Sequence, residues 1–179
     1  MEQGEAILIR RTVWSDTSFL TTWLLPDLGK IRAMAKAARR PGSPFAGKLD
    51  LFFHAEIAFA RGKGSPPLHQ LREIKVLTAF NASHVPCANV YACGYFAELV
   101  DLCTEPSEPA PEIFDLLLRA IRHLSEKPAT LRAIEHFETE LCRAIGIHEE
   151  GHHPLAALER YGGKVPSSRL TALKLLGGT

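Results

Sequence analysis

The spacing of apolar residues along this chain changes once, near Pro86, and that change limits what the chain can fold into. Before it, apolar residues recur at every second position, the period of strands. Glu5–Val13 reads as a first strand, with Ile7, Ile9 and Val13 on one face. Ser18–Leu25 is rich in β-formers and ends at Pro26-Asp27, with Gly29 completing a turn. Lys30–Ala38 sets Ile31, Ala33, Ala35 and Ala37 against Lys30, Arg32, Met34 and Lys36. Leu49–Ala60 alternates again, with Leu49, Leu51, Phe53, Ala55, Ile57 and Phe59 facing one way. After the Gly/Pro turn at Arg61–Pro66, a fifth strand lies near Leu68–Leu77. Five short strands with tight turns predict a small closed barrel, because closure removes the edges an open sheet would expose. An OB-fold is one of the few common barrels of that size.

After Pro86 the period becomes helical. Cys87–Cys103 places Val90, Tyr91, Tyr95, Leu99 and Leu102 at helical spacing, and Ser107–Pro111 reads as a linker. Glu112–Leu124 carries Ile113, Leu116, Leu117, Ile121 and Leu124 on one stripe. Thr130–Ile145 repeats the pattern with Leu131, Ile134, Phe137, Leu141 and Ile145, stopped by Gly146. Ser167–Leu176 is a last short helix with a serine N-cap. The predicted class is α+β, with an OB-fold domain over 1–80 and a helical domain over 81–179.

The chain has 179 residues, enough for one ordinary domain or two small ones, and no run of 18 apolar residues that would span a membrane. Its start, Met1-Glu2-Gln3-Gly4-Glu5, is acidic rather than basic, so a signal peptide is not expected and a cytoplasmic location is. Cys87, Cys93, Cys103 and Cys142 include no C-x-x-C pair and are expected as buried free thiols. Charge is unevenly divided. Residues 1–80 hold 12 Lys+Arg against 7 Asp+Glu, and 81–179 hold 9 against 13. The basic half is the one to search for an anionic partner.

Two segments imitate chemistry. Gly42-Ser43-Pro44-Phe45-Ala46-Gly47-Lys48-Leu49 nearly matches a phosphate loop, but Leu49 lacks the hydroxyl that ligates magnesium. Strand-like alternation follows it, where a phosphate loop must open a helix. His148-Glu149-Glu150-Gly151-His152-His153 carries a metal-like His148/His152 spacing, but Gly151 and Pro154 interrupt the helix that spacing requires. A polar loop is the better reading. No catalytic residues, metal or cofactor are expected.

The third segment is different. Lys30, Arg32, Lys36, Arg39, Arg40 and Lys48 fall in nineteen positions without one acid. Exposed strand faces ordinarily mix signs. A single sign on a barrel face suits a groove that tracks phosphates. Arg10 and Arg11 at the end of the first strand join the candidate DNA-binding set. Trp14, Trp23, Phe45, Phe52 and Phe53 are candidate base-stacking groups, although barrel core is the simpler place for Trp23 and Phe53.

At these residues the chain resembles the RecO family of recombination mediators. The resemblance rests first on Ala6–Val13, Trp14-Ser15-Asp16-Thr17-Ser18, Phe19–Leu25 and the basic run Gly29–Pro41, where the family often has glycine at the position of Ala37. Ser43–Leu49 resembles the lead-in to the family's fourth strand. Two further blocks are Leu131-Arg132 with Phe137-Glu138, Leu141 and Ile145-Gly146, and Tyr161–Leu170 before the last helix. Family members are typically longer by several dozen residues, the difference falling between Gly146 and Tyr161. Many carry a four-cysteine zinc site there. This chain has no cysteine after Cys142, so zinc is not expected. The resemblance implies a nucleoid-associated protein that binds single- and double-stranded DNA and anneals complementary strands. It also implies a RecR-type partner protein and single-strand DNA-binding protein as partners in loading recombinase. The rival expectation is an interaction module acting through the helical half alone.

Overall fold

A computed structural model describes residues 1–177. Five strands come first: β1 (Glu2–Val13), β2 (Phe19–Leu25), β3 (Gly29–Ala35), β4 (His54–Ala60) and β5 (Leu68–Thr78). They close into a barrel in the order β1-β2-β3-β5-β4. Every neighbouring pair is antiparallel except β3 with β5, which run parallel from Arg32↔Leu68 to Met34↔Gln70. This is the OB-fold arrangement. Five α-helices follow among the described residues: α1 (Cys87–Cys103), α2 (Pro111–Glu126), α3 (Leu131–Ala144), α4 (Pro154–Gly162) and α5 (Ser168–Leu176). The α+β class, barrel first and helices second, is as the periodicity indicated.

The barrel interior holds Ala6, Leu8, Trp23, Leu25, Ile31, Ala33, Ala35, Ala55, Ile57, Phe59, Leu71 and Ile74. Large and small side chains share one cluster, the mixture that fills a narrow barrel without voids. Trp23 is fully buried, so its indole N–H needs an internal acceptor. Thr21 provides it. Trp23 Nε1 donates to Thr21 Oγ1 at 2.9 Å, and the same hydroxyl donates to the Ala33 carbonyl at 2.7 Å. The only Thr in the barrel wall with no accessible surface thus links β2 to β3 and satisfies the largest core side chain.

Several strand expectations need correction. Leu49–Phe53 is not strand; β4 begins at His54. Phe52 sits at φ +67°, which breaks the alternation, so Leu49 and Phe52 are both buried while Phe53 is only half-buried. Phe52 N–H donates to the Leu8 carbonyl and Leu8 N–H to the Phe53 carbonyl, so this non-strand turn still secures β1. β3 ends at Ala35 rather than Ala38 because Ala37 is left-handed, at φ +56°. In β1 the core residues are Ala6 and Leu8. Ile7 and Ile9 are buried on the opposite side, and Val13 is exposed. A register shift between Leu8 and Arg10 lies in this strand.

The described chain divides into two compact units, Met1–Phe80 with Thr104–Phe114, and Asn81–Cys103 with the residues from Asp115 onward. The segment that reads as a linker packs with the barrel. Ser107 N–H donates to the Lys30 carbonyl and Ala110 N–H to the Pro26 carbonyl. Gly29 adopts φ +60°, and a Cβ there would stand 1.7 Å from the Glu108 carbonyl oxygen. Only glycine fits this turn.

The expected α2 stripe is buried throughout, as are Ile134, Phe137 and Leu141 of α3. Leu131 is exposed, and in α1 the buried set is Asn89, Ala92, Cys93, Tyr95, Phe96, Ala97, Leu99, Val100 and Cys103, leaving Tyr91 and Leu102 exposed. Asn89 is fully satisfied: its Nδ2 donates to the carbonyls of Leu124 and Lys127, and its Oδ1 accepts from Ala129 N–H. Buried Glu138 accepts from Tyr95 Oη at 2.7 Å and Arg169 Nε at 2.6 Å, joining α1, α3 and α5. Burial, and then Glu138, push the Tyr95 phenol up, so it stays a donor. Helix α4 is not among the helices that the apolar periodicity predicts. Its end signals are in the sequence nevertheless: His153 caps it by accepting from Leu155 N–H, Pro154 opens it, and Gly163 ends it at φ +76°.

Replacing Thr21 with Val keeps the shape but leaves the Trp23 indole N–H without an acceptor. Thermal unfolding should show a loss of about 1–3 kcal/mol, with the β-type circular dichroism retained.

Candidate nucleic-acid interface

Barrel closure decides which side of each strand meets solvent, and cross-strand register then arranges the outward residues in rows. Arg10 of β1 pairs with Thr22 of β2, and Thr22 with Arg32 of β3. One step along, Thr12 pairs with Leu20 and Leu20 with Met34. Beyond that, Trp14 N–H donates to the Ser18 carbonyl, and Ser18 Oγ accepts from Ala37 N–H beside Lys36. Neighbours within a row are about 5 Å apart and rows about 7 Å apart. The outer face of β1-β2-β3 therefore carries Arg10, Arg32 and Lys36 around Thr12, Leu20, Thr22 and Met34, with Trp14 at one end. All four hydrophobic or hydroxyl residues between the cations are uncharged, so the face has one sign only.

The opposite side of the barrel differs. There Glu5 pairs across strands with Glu56, Lys75 forms an ion pair with Glu56 at 2.8 Å, and Arg61 with Glu2 at 2.7 Å. Among the described residues, no ion pair involves Arg32, Lys36, Arg39, Arg40 or Lys48. Their positive charge is uncompensated at the surface.

The eight basic residues singled out from sequence do not form one group. Arg10, Arg32 and Lys36 lie on the open face, and Arg32 and Lys36 are exposed. Arg39 and Arg40 are exposed in the turn that follows. Arg39 also fastens the β1–β2 hairpin: its N–H donates to the Thr17 carbonyl at 3.0 Å and its Nη1 to the Ser15 carbonyl at 2.8 Å. Arg11 is inward in register, opposite Thr21. Its guanidinium donates to the Leu49 carbonyl, lies 3.6 Å from Asp50 and sits 5.1 Å above the Phe19 ring. Arg39 approaches the same ring at 5.8 Å. Phe19 is thus covered by two guanidinium groups at the end of the barrel, and Arg11 is largely committed to that contact. Lys30 is half-buried at the other end of β3, against Pro106 and Ser107. Lys48 is half-buried among the turns before β4.

Of the five candidate stacking aromatics, Trp23, Phe45 and Phe52 are buried and Phe53 half-buried; Trp14 is 58 % exposed. The Gly42–Leu49 segment forms consecutive turns between β3 and β4, with no helix after it. The His148–His153 segment forms an exposed turn leading into α4. Cys93, Cys103 and Cys142 are buried free thiols, and Cys87 is exposed. Among the described residues no helix is long and apolar enough to cross a membrane.

Sequence comparison agrees with the order of a barrel followed by helices. The family model for the recombination protein O N terminal matches residues 1–80, and that for its C terminal matches 87–148. The "DNA repair protein RecO" of Rhodopirellula baltica is 32 % identical over 141 residues, covering 79 % of this chain and 52 % of the relative. Its namesake in a Roseiflexus species is 32 % identical over 146 residues, 82 % of this chain and 50 % of the relative. That of Synechococcus elongatus is 33 % identical over 119 residues, covering 66 % and 44 %. The chain spans about half the length of the curated relatives it matches. With both domain models matched in family order on a barrel followed by helices, the chain belongs to the RecO family.

Proposed function

We propose that this chain is a non-enzymatic mediator of DNA repair and homologous recombination. In this reading the barrel domain, 1–80, binds single- and double-stranded DNA without sequence preference. Complementary strands anneal while their charge is neutralised on it. The helical domain, 81–179, contributes contacts to a RecR-type partner and to single-strand DNA-binding protein during recombinase loading, in the cytoplasm at the nucleoid. The observation that carries the proposal is the one-signed outer face of β1-β2-β3, set against the sign-balanced opposite side. Exposed cations on a barrel contact phosphates, which carry no sequence information. Annealing asks for no bond chemistry, only for two polyanions to be held together.

Arg10, Arg32, Lys36, Arg39 and Arg40 are the principal phosphate contacts proposed. Lys30, Lys48 and Arg11 lie at the margins and add to the field. Salt then controls affinity through counterion release. In anisotropy titrations with a labelled single strand, log affinity should fall linearly with log salt. Lys36→Ala should make the slope shallower by about one unit, equally across base sequences. No binding at low salt, or a strong sequence preference, would sink the proposal. Arg32→Ala should weaken binding while leaving the melting temperature nearly unchanged. Arg11→Ala should instead lower stability by about 1 kcal/mol, because it uncovers Phe19 and frees the Leu49 carbonyl.

A partner role for the helical unit is favoured by one specific feature. A cavity of about 500 Å³ is floored by Phe96, Leu116, Leu124 and Phe137 and rimmed by Arg119, His123, Arg132 and His136. Of the two rim arginines, Arg119 is ion-paired with Asp115 at 2.9 Å, and Arg132 is in no ion pair among the described residues, so the cavity offers one uncompensated cation beside an apolar floor. An acidic segment with apolar side chains fits that chemistry. Arg132→Glu should abolish capture of such a partner by the purified protein and leave DNA affinity intact. Loss of both together would argue against separate surfaces.

A further inference from the structure

We propose that Trp14 is the base-stacking residue of the basic face, and that it makes the face prefer single-stranded over duplex DNA. The proposal rests on the DNA-binding reading above and adds the group that distinguishes the two substrates. Arg10 and Thr12 face outward along β1, and Trp14 is the first residue after that strand, opening the turn to β2 beyond the cation. Its indole is a large aromatic ring left 58 % exposed, next to Val13 at 57 %. The other tryptophan, Trp23, has no exposed surface.

The hairpin that carries the indole is itself held in place. That hairpin, Trp14–Ser18, is closed by Trp14 N–H to the Ser18 carbonyl at 3.0 Å. Three bonds fasten the hairpin to the segment after β3: Ala37 N–H to Ser18 Oγ, Arg39 N–H to the Thr17 carbonyl, and Arg39 Nη1 to the Ser15 carbonyl. Exposed Lys36, Arg39 and Arg40 belong to that same segment. The fold thereby sets the backbone that bears an exposed ring beside the segment that bears uncompensated cations, and limits the backbone freedom the two would lose on binding. A single strand offers phosphates to the cations and an unstacked base to the ring. A duplex offers the phosphates but keeps its base faces stacked within the helix. The occupant that matches both halves of the site is an unpaired nucleotide strand.

The chain's two tryptophans make the test direct. The full chain is titrated with a labelled oligothymidylate and, separately, with a mixed-sequence hairpin duplex, following both anisotropy and intrinsic fluorescence. Trp14 emission should be quenched by the single strand and little changed by the duplex, while buried Trp23 serves as an internal check on folding. Trp14→Ala should weaken single-strand binding about tenfold and duplex binding by less than about twofold, with Trp14→Phe recovering much of the loss. Equal losses for both DNA forms, or no loss for either, would overturn the stacking role while leaving salt-dependent DNA binding in place. If the unmodified chain binds neither form at low salt, the DNA-binding reading itself fails, and this inference with it.

Discussion

The parallel pairing of β3 with β5, only three residue pairs from Arg32↔Leu68 to Met34↔Gln70, is what turns five strands into a closed wall. Without it β3 and β5 would be free edges, and neither side of the sheet would be uniquely inside. With it, Ile31, Ala33 and Ala35 must face Trp23 and Phe59, and Arg32 and Lys36 must face solvent. The same closure forces the Trp23 indole into a space where water cannot reach its N–H. Thr21 then becomes indispensable, because it alone accepts that proton while reaching across to Ala33. The segregation of basic residues onto one outer face is thus a consequence of closure as much as of composition.

Local departures from regular strand geometry shape the ends of that face. The shift in β1 after Leu8 changes which residues of β1 stand opposite β2, placing Arg10 outward beside Thr22 and Arg11 inward beside Thr21. Adjacent arginines therefore do different work. Arg10 joins a row of outward side chains, whereas Arg11 covers Phe19 and binds the Leu49 carbonyl. The left-handed residue Ala37 ends β3 and turns the chain so that Arg39 can reach the β1–β2 hairpin. Glycine would adopt that conformation more cheaply than alanine.

The helical unit relies on polar groups that are buried and satisfied. Asn89 makes three hydrogen bonds to main-chain groups at the α2–α3 connection, and Glu138 joins Tyr95 and Arg169. Such groups stabilise one arrangement and penalise others, since removing any member leaves a buried partner unmet. This explains why the stripes of α1 and α3 are not purely apolar. A search for leucines and aromatics passes over Asn89 and Glu138, although Glu138 recurs in the Phe137-Glu138 pair that marks the family resemblance.

The sequence by itself determined the division into a barrel and a helical half, the five strands and four of the five helices, because these follow from period and turn chemistry. It also determined the identity of the basic run, since charge is a property of composition. It did not determine which side of β1 faces the core, because Ala6–Ile9 are apolar at every position and period two has no contrast to report. Nor could alternation reveal the turn at Phe52, where an apolar side chain occupies a backbone conformation that alternation assumes away. The packing of Thr104–Phe114 on the barrel depends on main-chain bonds to Pro26 and Lys30 that leave no trace in side-chain pattern. Tertiary structure alone separated the eight basic residues into an open face, a barrel-end cover and margins, and left Trp14 as the most exposed of five aromatic candidates. The physical reason is that exposure and partnership are set by what lies across the sheet, and cross-strand neighbours are distant in sequence.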